Sequence, residues 1–478
     1  MRKSMIGLMV AALLTAMVAL PELAGAQSSS LLYGSSRNPL ANSTNPAFFP
    51  RNSRGYLSLP TVSIGLNSPL SYASIFHYDS TDDKTHINLN NLLDTMSNGE
   101  KLRFNTGIYP IGLGLNFNKF FITVSTEAKV DVRFSLPEGI VTFLNEGNYG
   151  YTGPDNAIEL LDGDLISARV YAEAALGFGY RITDRLTVGG RLKMLAGLMD
   201  LSNGGSSITL TTAPDYSSMT ANMNLNLNYA GLMSINYDSV SGKTTMDFNA
   251  GMPKSMGFNM DLGARYATDL FDVSASILDL GPGIHWKDNI RKVVSAHENN
   301  SFTFSGVDVS TYLQGGTLDS TFLNMLLDSL KALTDYKVIQ DGSGEYWTSI
   351  PTKVNLGGMF HPTSWASVGL MFHGEFERGL VRVGDVFKNK TVGFYSRTTA
   401  IARLGFRDWI EVVASASVIS NKSQWDWFNP GVGVTLTPFK TLQIYAFLDY
   451  ISNIYLIEAK NVNLSLGINL LFGKSQHR

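Results

Sequence analysis

The stretch FITVSTEAKVDVR, residues 121–133, decides the fold. Ile122, Val124, Thr126, Ala128, Val130 and Val132 occupy every second position, and Thr123, Ser125, Glu127, Lys129, Asp131 and Arg133 stand between them. Strand side chains alternate between two faces, so one face here is nearly all apolar and the other carries four charges. In a soluble sandwich the apolar face turns inward and the charged face meets water. A membrane barrel reverses this, because lipid lies outside and the lumen is wet.

The rest of the chain selects the second arrangement. Arg2 and Lys3 precede an apolar run to about Leu20, then Pro21 and the triplet Ala24, Gly25, Ala26, which reads as a secretory signal over 1–26. No later stretch approaches a transmembrane helix, so membrane integration requires a barrel. The sequence has no cysteine, which excludes disulfides, thiolate metal sites and lipid attachment through a cysteine. Charged residues make up only 16%, with 45 glycines, 20 tyrosines and 26 phenylalanines. The net charge of −3 offers no basic excess for nucleic acid. Mean hydropathy is +0.03, as expected when apolar and polar faces cancel.

Alternation of the same sense recurs. Ala172, Ala174, Leu176, Phe178 and Tyr180 oppose Tyr171 and Glu173; Leu186, Val188, Leu192 and Met194 oppose Arg191 and Lys193. Leu442, Ile444, Ala446 and Leu448 oppose Thr441, Gln443 and Asp449; Val462 to Phe472 oppose Asn463, Ser465, Gly467 and Asn469. Short turns at 118–119, 183–185, 268–269, 362–363, 407–408 and 438–440 alternate with long segments at 134–167, 200–253, 282–350, 376–390, 421–429 and 452–460. That is the pattern of periplasmic turns and external loops, and it predicts about fourteen antiparallel strands over 55–472. Both termini, including the tail 473–478, then fall on the periplasmic side of the outer membrane of a Gram-negative bacterium.

Three long segments carry patterns of their own. STFLNMLLDSLKALTDY, from Ser320, and LPEGIVTFLNEGN, with Pro137 and Gly147, predict short helices in external loops. ANMNLNLNYAGLMSINYD, from Ala221, reads as an external hairpin or as two extra membrane strands. Residues 27–54 are broken by Pro39, Pro46 and Pro50 and form either a lumenal plug carrying Phe48 and Phe49 or a periplasmic tail.

Asn45, Pro46 and Ala47 resemble the hatch motif of FadL-type channels and of the fourteen-stranded PorV-like barrels of Bacteroidota. NPAFFP, SLPEGIVTFLNEGN, LTVGGRLKMLAG and GFNMDLGARY with SASILDLGPGIHW together resemble an uncharacterised Bacteroidota outer-membrane barrel family, a domain of unknown function. The resemblance implies fold and location, and a hatch at Asn45, Pro46, Ala47, Phe48 and Phe49.

The inward register assigns Glu127, Lys129, Asp131, Glu173, Arg191, Lys193, His373, Glu375, Arg403, Glu411 and Asp449 to the lumen. Mixed signs on neighbouring strands either pair structurally or line a solute path. His373, Glu375 and Glu377 share one strand face, where a charge network with Arg378, Arg397 or Arg403 competes with a metal site; no His spacing marks a metal site, and no cofactor is expected. No G-x-S-x-G elbow marks an enzyme. Trp409, Tyr445, Tyr450 and Tyr455 are assigned to an aromatic girdle. Trp286, Trp425 and Trp427 fall in or near external loops, where they contact lipopolysaccharide, partner or ligand, or pack the loops. The expected partners are outer-membrane lipid and lipopolysaccharide, with either a hydrophobic or amphipathic solute moved in the FadL manner or a secretion or surface protein held in the PorV manner.

Overall fold

The computed structural model describes residues 30–473 apart from a set of loop segments, the longest at 88–100, 305–335 and 451–459. The signal segment, Tyr455, and the loop helix expected from Ser320 lie outside the described residues.

Fourteen strands form one ring: β1 (Gly55–Ser58 continued by Thr61–Asn67), β2 (Lys101–Asn116), β3 (Phe120–Ser135), β4 (Ile166–Arg181), β5 (Leu186–Asn203), β6 (Met256–Ala267) and β7 (Phe271–Trp286). The ring goes on with β8 (Thr352–Phe360), β9 (Ala366–Val383), β10 (Val386–Phe406), β11 (Ile410–Ser420), β12 (Trp425–Leu436), β13 (Leu442–Asp449) and β14 (Asn461–Phe472). Each strand pairs antiparallel with its neighbour, and β14 closes on β1 with Gly55 opposite Phe472 and Val62 opposite Leu466. Closure leaves no free edge in the ring.

The wall is inside out relative to a soluble protein. On β5, Leu192 is 66% exposed while its neighbour Lys193 is 4% exposed; on β4, Leu176 is 57% exposed and Glu173 is 5% exposed. Lipid contact accounts for the outward Leu and Phe, and the inward charges share the bore. This is a transmembrane barrel, with exposed Phe117, Tyr180, Tyr266, Trp365, Trp409 and Phe439 clustered at the short-turn end. Aromatic rings of this kind sit at the bilayer interface, apolar body inward and polar edge out.

Several expectations are corrected. Many strands are longer than the sequence pattern suggests: β9 and β10 pair as far as Val383 opposite Val386, with one register shift between Glu377 and Arg378, so 376–383 and 386–390 extend a hairpin where a long loop is expected. The pairing of backbone groups carries on past the apolar band, which hydropathy alone does not reveal. Residues 219–248 are neither one hairpin nor two membrane strands. Met219–Asn224 joins Ser207–Thr212, Ile158–Asp162 and Ser301–Phe304 in a separate four-stranded sheet; Asn226–Gly231 pairs with the end of β5; and Met233–Asp238 pairs with Lys243–Phe248.

Tyr445 and Tyr450 are not girdle residues. Both are buried inside, because Tyr445 alternates with the outward Ile444, and its hydroxyl donates to Thr61 Oγ1 at 3.1 Å. Trp286 is fully buried against Ile284 and Leu195, with its indole N–H donating to Thr348 Oγ1 at 2.6 Å. Trp427 is exposed. The segment with Pro137 is described only in part: Gly147, at φ +70°, donates to the Phe143 carbonyl at 2.9 Å.

Leu192→Arg places a charge on the lipid face and is expected to cost about 2–4 kcal/mol if the site lies at the bilayer midplane. Equilibrium unfolding from lipid vesicles measures it; a cost near zero contradicts lipid contact at this position.

Candidate functional site in the barrel interior

Alternation on six consecutive strands brings charges to one side of the bore. Lys129 Nζ on β3 lies 2.9 Å from Glu127 and 2.8 Å from Glu173 of β4. Lys193 on β5 lies 3.5 Å from Glu173, 3.0 Å from Asp261 of β6 and 2.5 Å from Asp279 of β7. Arg191 Nε donates to Asp261 at 2.8 Å, and Lys353 of β8 lies 3.4 Å from Asp279. The cations Lys129, Arg191, Lys193 and Lys353 thus face the anions Glu127, Glu173, Asp261 and Asp279, which balances the set. Balance is required, since each buried ion forfeits several kcal/mol of hydration that only partners return.

Asp261, Asp279 and Lys353 were not singled out from sequence. The alternation in GFNMDLGARY reveals Asp261 once β6 is placed, between the outward Phe258 and Leu262. Asp279 is hidden by a bulge: the β6 register shifts between Met260 and Leu262, and Leu278 and Asp279 are both buried. Asp279 adopts φ +58°, which Asp tolerates better than most residues, and its N–H donates to Asp261 Oδ1 at 2.8 Å.

The other inward residues form separate groups. Arg133 Nε donates to Asp131 at 2.8 Å, and Arg103 and Arg133 both stand 3.6 Å from Glu375 Oε1. Arg403 lies 3.5 Å from Glu411, which also accepts from Ser35 Oγ at 2.5 Å. His373 Nδ1 bonds Asn355 Oδ1 at 2.6 Å. Asp449 accepts the Leu31 N–H at 3.3 Å, and the Arg397 guanidinium stands over the Tyr450 ring at 4.3 Å. The side chains of Glu377 and Arg378 lie outside the described residues. Among the described residues no cluster of three His, Asp or Glu suits a metal ion.

Residues 30–50 lie against these inward faces. Helix α1 (Ser30–Gly34) places Leu31, Leu32 and Tyr33 on Met371, Ile401, Val413 and Phe447. Burial pushes the Tyr33 hydroxyl up to about 12, against a 2.8 Å bond to Ser274. Asn38 caps a following 3-10 turn, Pro39–Ser43, by accepting the Leu40 N–H at 3.0 Å. Asn45 then reaches the wall: its amide donates to the carbonyls of Ala264 at 3.3 Å and Ala275 at 3.1 Å, and its Oδ1 accepts the Ala47 N–H at 2.9 Å. Ser276 and Asn355 donate to the Thr44 carbonyl at 2.7 and 2.8 Å. The close approach depends on two glycines paired across β5 and β6. A Cβ at Gly189 overlaps the Pro46 backbone, and one at Gly263 overlaps Asn45 Oδ1. Phe48 packs on Tyr33 at 5.5 Å, and Phe49 on Phe121 at 5.1 Å.

Between this segment and the charge network lies a cavity of about 80 Å³, with Leu32 and Leu40 on one side and Lys129, Lys193, Asp279 and Lys353 on the other. A polar space of that size suits ordered water.

A family described as "Family of unknown function (DUF5723)" matches residues 46–449. The chain belongs to this family. No protein of curated function matches the sequence. Among solved structures the fold is similar to the Pseudomonas putida toluene transporter TodX, at 10% identity over 96% of this chain and 100% of that one, TM-score 0.44. It is likewise similar to a Pseudomonas aeruginosa FadL homologue, at 10% identity over 94% and 100%, TM-score 0.44. The Ralstonia pickettii toluene transporter TbuX has 10% identity over 95% and 100%, TM-score 0.43.

Lys193→Met removes the hub of the ion network and leaves Asp261 and Asp279 short of a partner, at an expected cost of about 3–5 kcal/mol. Urea unfolding of the folded barrel in lipid reads this directly. Unchanged stability shows that Arg191 and Lys353, not Lys193, compensate these carboxylates.

Proposed function

We propose that this barrel binds or transports a hydrophobic or amphipathic small molecule across the outer membrane, with both termini periplasmic and residues 27–54 acting as a displaceable plug. The supporting observation is an apolar stripe on the inner face of the wall. Met359 on β8, Met371 on β9, Ile401 on β10, Val413 on β11 and Tyr445 and Phe447 on β13 pack against Leu31, Leu32, Tyr33 and Phe48. Apolar side chains inside a wet bore are costly unless something apolar covers them. The N-terminal segment covers them here; when it is displaced, an apolar solute takes its place. The charged side of the bore, β3 to β8, faces the same space and suits the polar end of an amphipath. Nothing in this reading requires enzymatic chemistry.

A second reading, a scaffold for a secretion-system or surface protein, draws support from the sheet formed by Ile158–Asp162, Ser207–Thr212, Met219–Asn224 and Ser301–Phe304, which stands apart from the ring. Its own apolar core of Ile158, Leu210 and Ala221 gives a partner a preformed surface.

Gly263→Ala separates the readings. The added methyl overlaps Asn45, so the segment undocks at a cost of roughly 1–3 kcal/mol in hydrogen bonds. The plug reading expects faster uptake of a fluorescent hydrophobic probe by cells carrying this variant, and slower uptake by cells lacking the barrel. Uptake that is the same in all three strains, with loss of a surface protein on deletion, rejects transport and supports the scaffold.

A further inference from the structure

One set of interior contacts crosses the bore from wall to wall. Arg103 on β2 and Arg133 on β3 both approach Glu375 on β9 at 3.6 Å. In the ring order β2 and β9 are diametrically opposed. The Arg103 guanidinium also stands over the Tyr395 ring of β10 at 5.2 Å, so a second strand of the far wall meets it at the same level.

Chain geometry shows what this demands. A round barrel of fourteen strands, spaced about 4.8 Å apart and tilted about 40°, has a backbone diameter of about 28 Å. An arginine reaches about 7 Å from its Cα and a glutamate about 5 Å. A contact at 3.6 Å therefore brings the two walls to within about 16 Å of each other. The bore is flattened here, and the side chains span what is left of it. Asp131 holds Arg133 through two N–H donors at 2.8 and 3.0 Å. Arg103, Asp131 and Arg133 lie toward the long-loop end from Lys129 along β2 and β3, and Asp131 also lines the cavity.

We propose that the crossing of Arg103 and Arg133 onto Glu375 is the constriction of the solute path and the element that sets its charge selectivity. The inference rests on the bore being a path, as read above, and adds where that path is narrowest and which groups hold it. In a narrow, poorly hydrated passage a single uncompensated charge decides which ions enter. Glu375→Gln removes one negative charge from the crossing and makes it more positive than in the wild type. Arg103→Gln with Arg133→Gln removes two positive charges and makes it more negative. Glu375→Asp keeps the charge and shortens the reach.

The test is single-channel recording of the full mature protein in planar bilayers under a potassium chloride gradient, using barrels that stay folded in unheated SDS. Glu375→Gln is expected to raise conductance several-fold and move the reversal potential toward that of chloride. The double arginine variant moves it toward potassium, and Glu375→Asp raises conductance with the reversal potential unmoved. Wild-type behaviour in all three variants, or shifts of the same sign in the first two, overturns the assignment. Because the probes are small inorganic ions, loss of the hydrophobic-solute reading is seen separately: probe uptake fails while the opposite ionic shifts persist.

Discussion

Neutralisation of charge inside the ring is the constraint on which the other features depend. Alternation sends every second residue inward, and the lipid outside forbids moving a misplaced charge to the outer face. Each inward ion must then find its partner on a nearby strand or across the bore, in a medium that repays hydration poorly. Lys193 meets this demand by touching carboxylates from β4, β6 and β7. One register slip in β5 turns Lys193 to lipid and Leu192 into the bore. The ion network therefore specifies register as well as filling space.

The N-terminal segment obeys a different rule. Its prolines deny it a place in any sheet, so its backbone groups need partners from side chains. Asn42, Asn45, Ser276 and Asn355 supply them. The bore consequently has two kinds of surface: the ion network on β3 to β8, and on β8 to β13 an apolar cluster set among Arg397, Arg403, Glu411 and Asp449, with the segment lying against both. Burial of Leu31 and Phe48 against the apolar side holds it in, while the polar side needs no such cover.

Much of the wall was legible from the chain. Fourteen strands, their order and the short turns follow from alternation and from turn residues, because both are local and repeat many times. The inward position of Gln443 comes from the same parity, whereas the girdle assignment of Trp409 rests on its place at a strand end. Parity was right where it was set aside: Tyr445 was placed by its nearness to a strand end although its neighbour Ile444 faces lipid. Beyond the apolar band hydropathy loses its meaning, which is why the β9–β10 hairpin read as a loop.

Sequence by itself determined which side chains face lipid and which face the bore, since that depends on odd or even position within a strand. Tertiary structure alone decided which inward charges meet. Partner choice depends on the stagger between strands, on a bulge that turns Asp279 inward, and on a flattened section that brings Glu375 to Arg103 across the ring. The docking of Asn45 on the Gly189 and Gly263 pair was likewise invisible, because residues more than a hundred positions apart share that surface only after the barrel has closed.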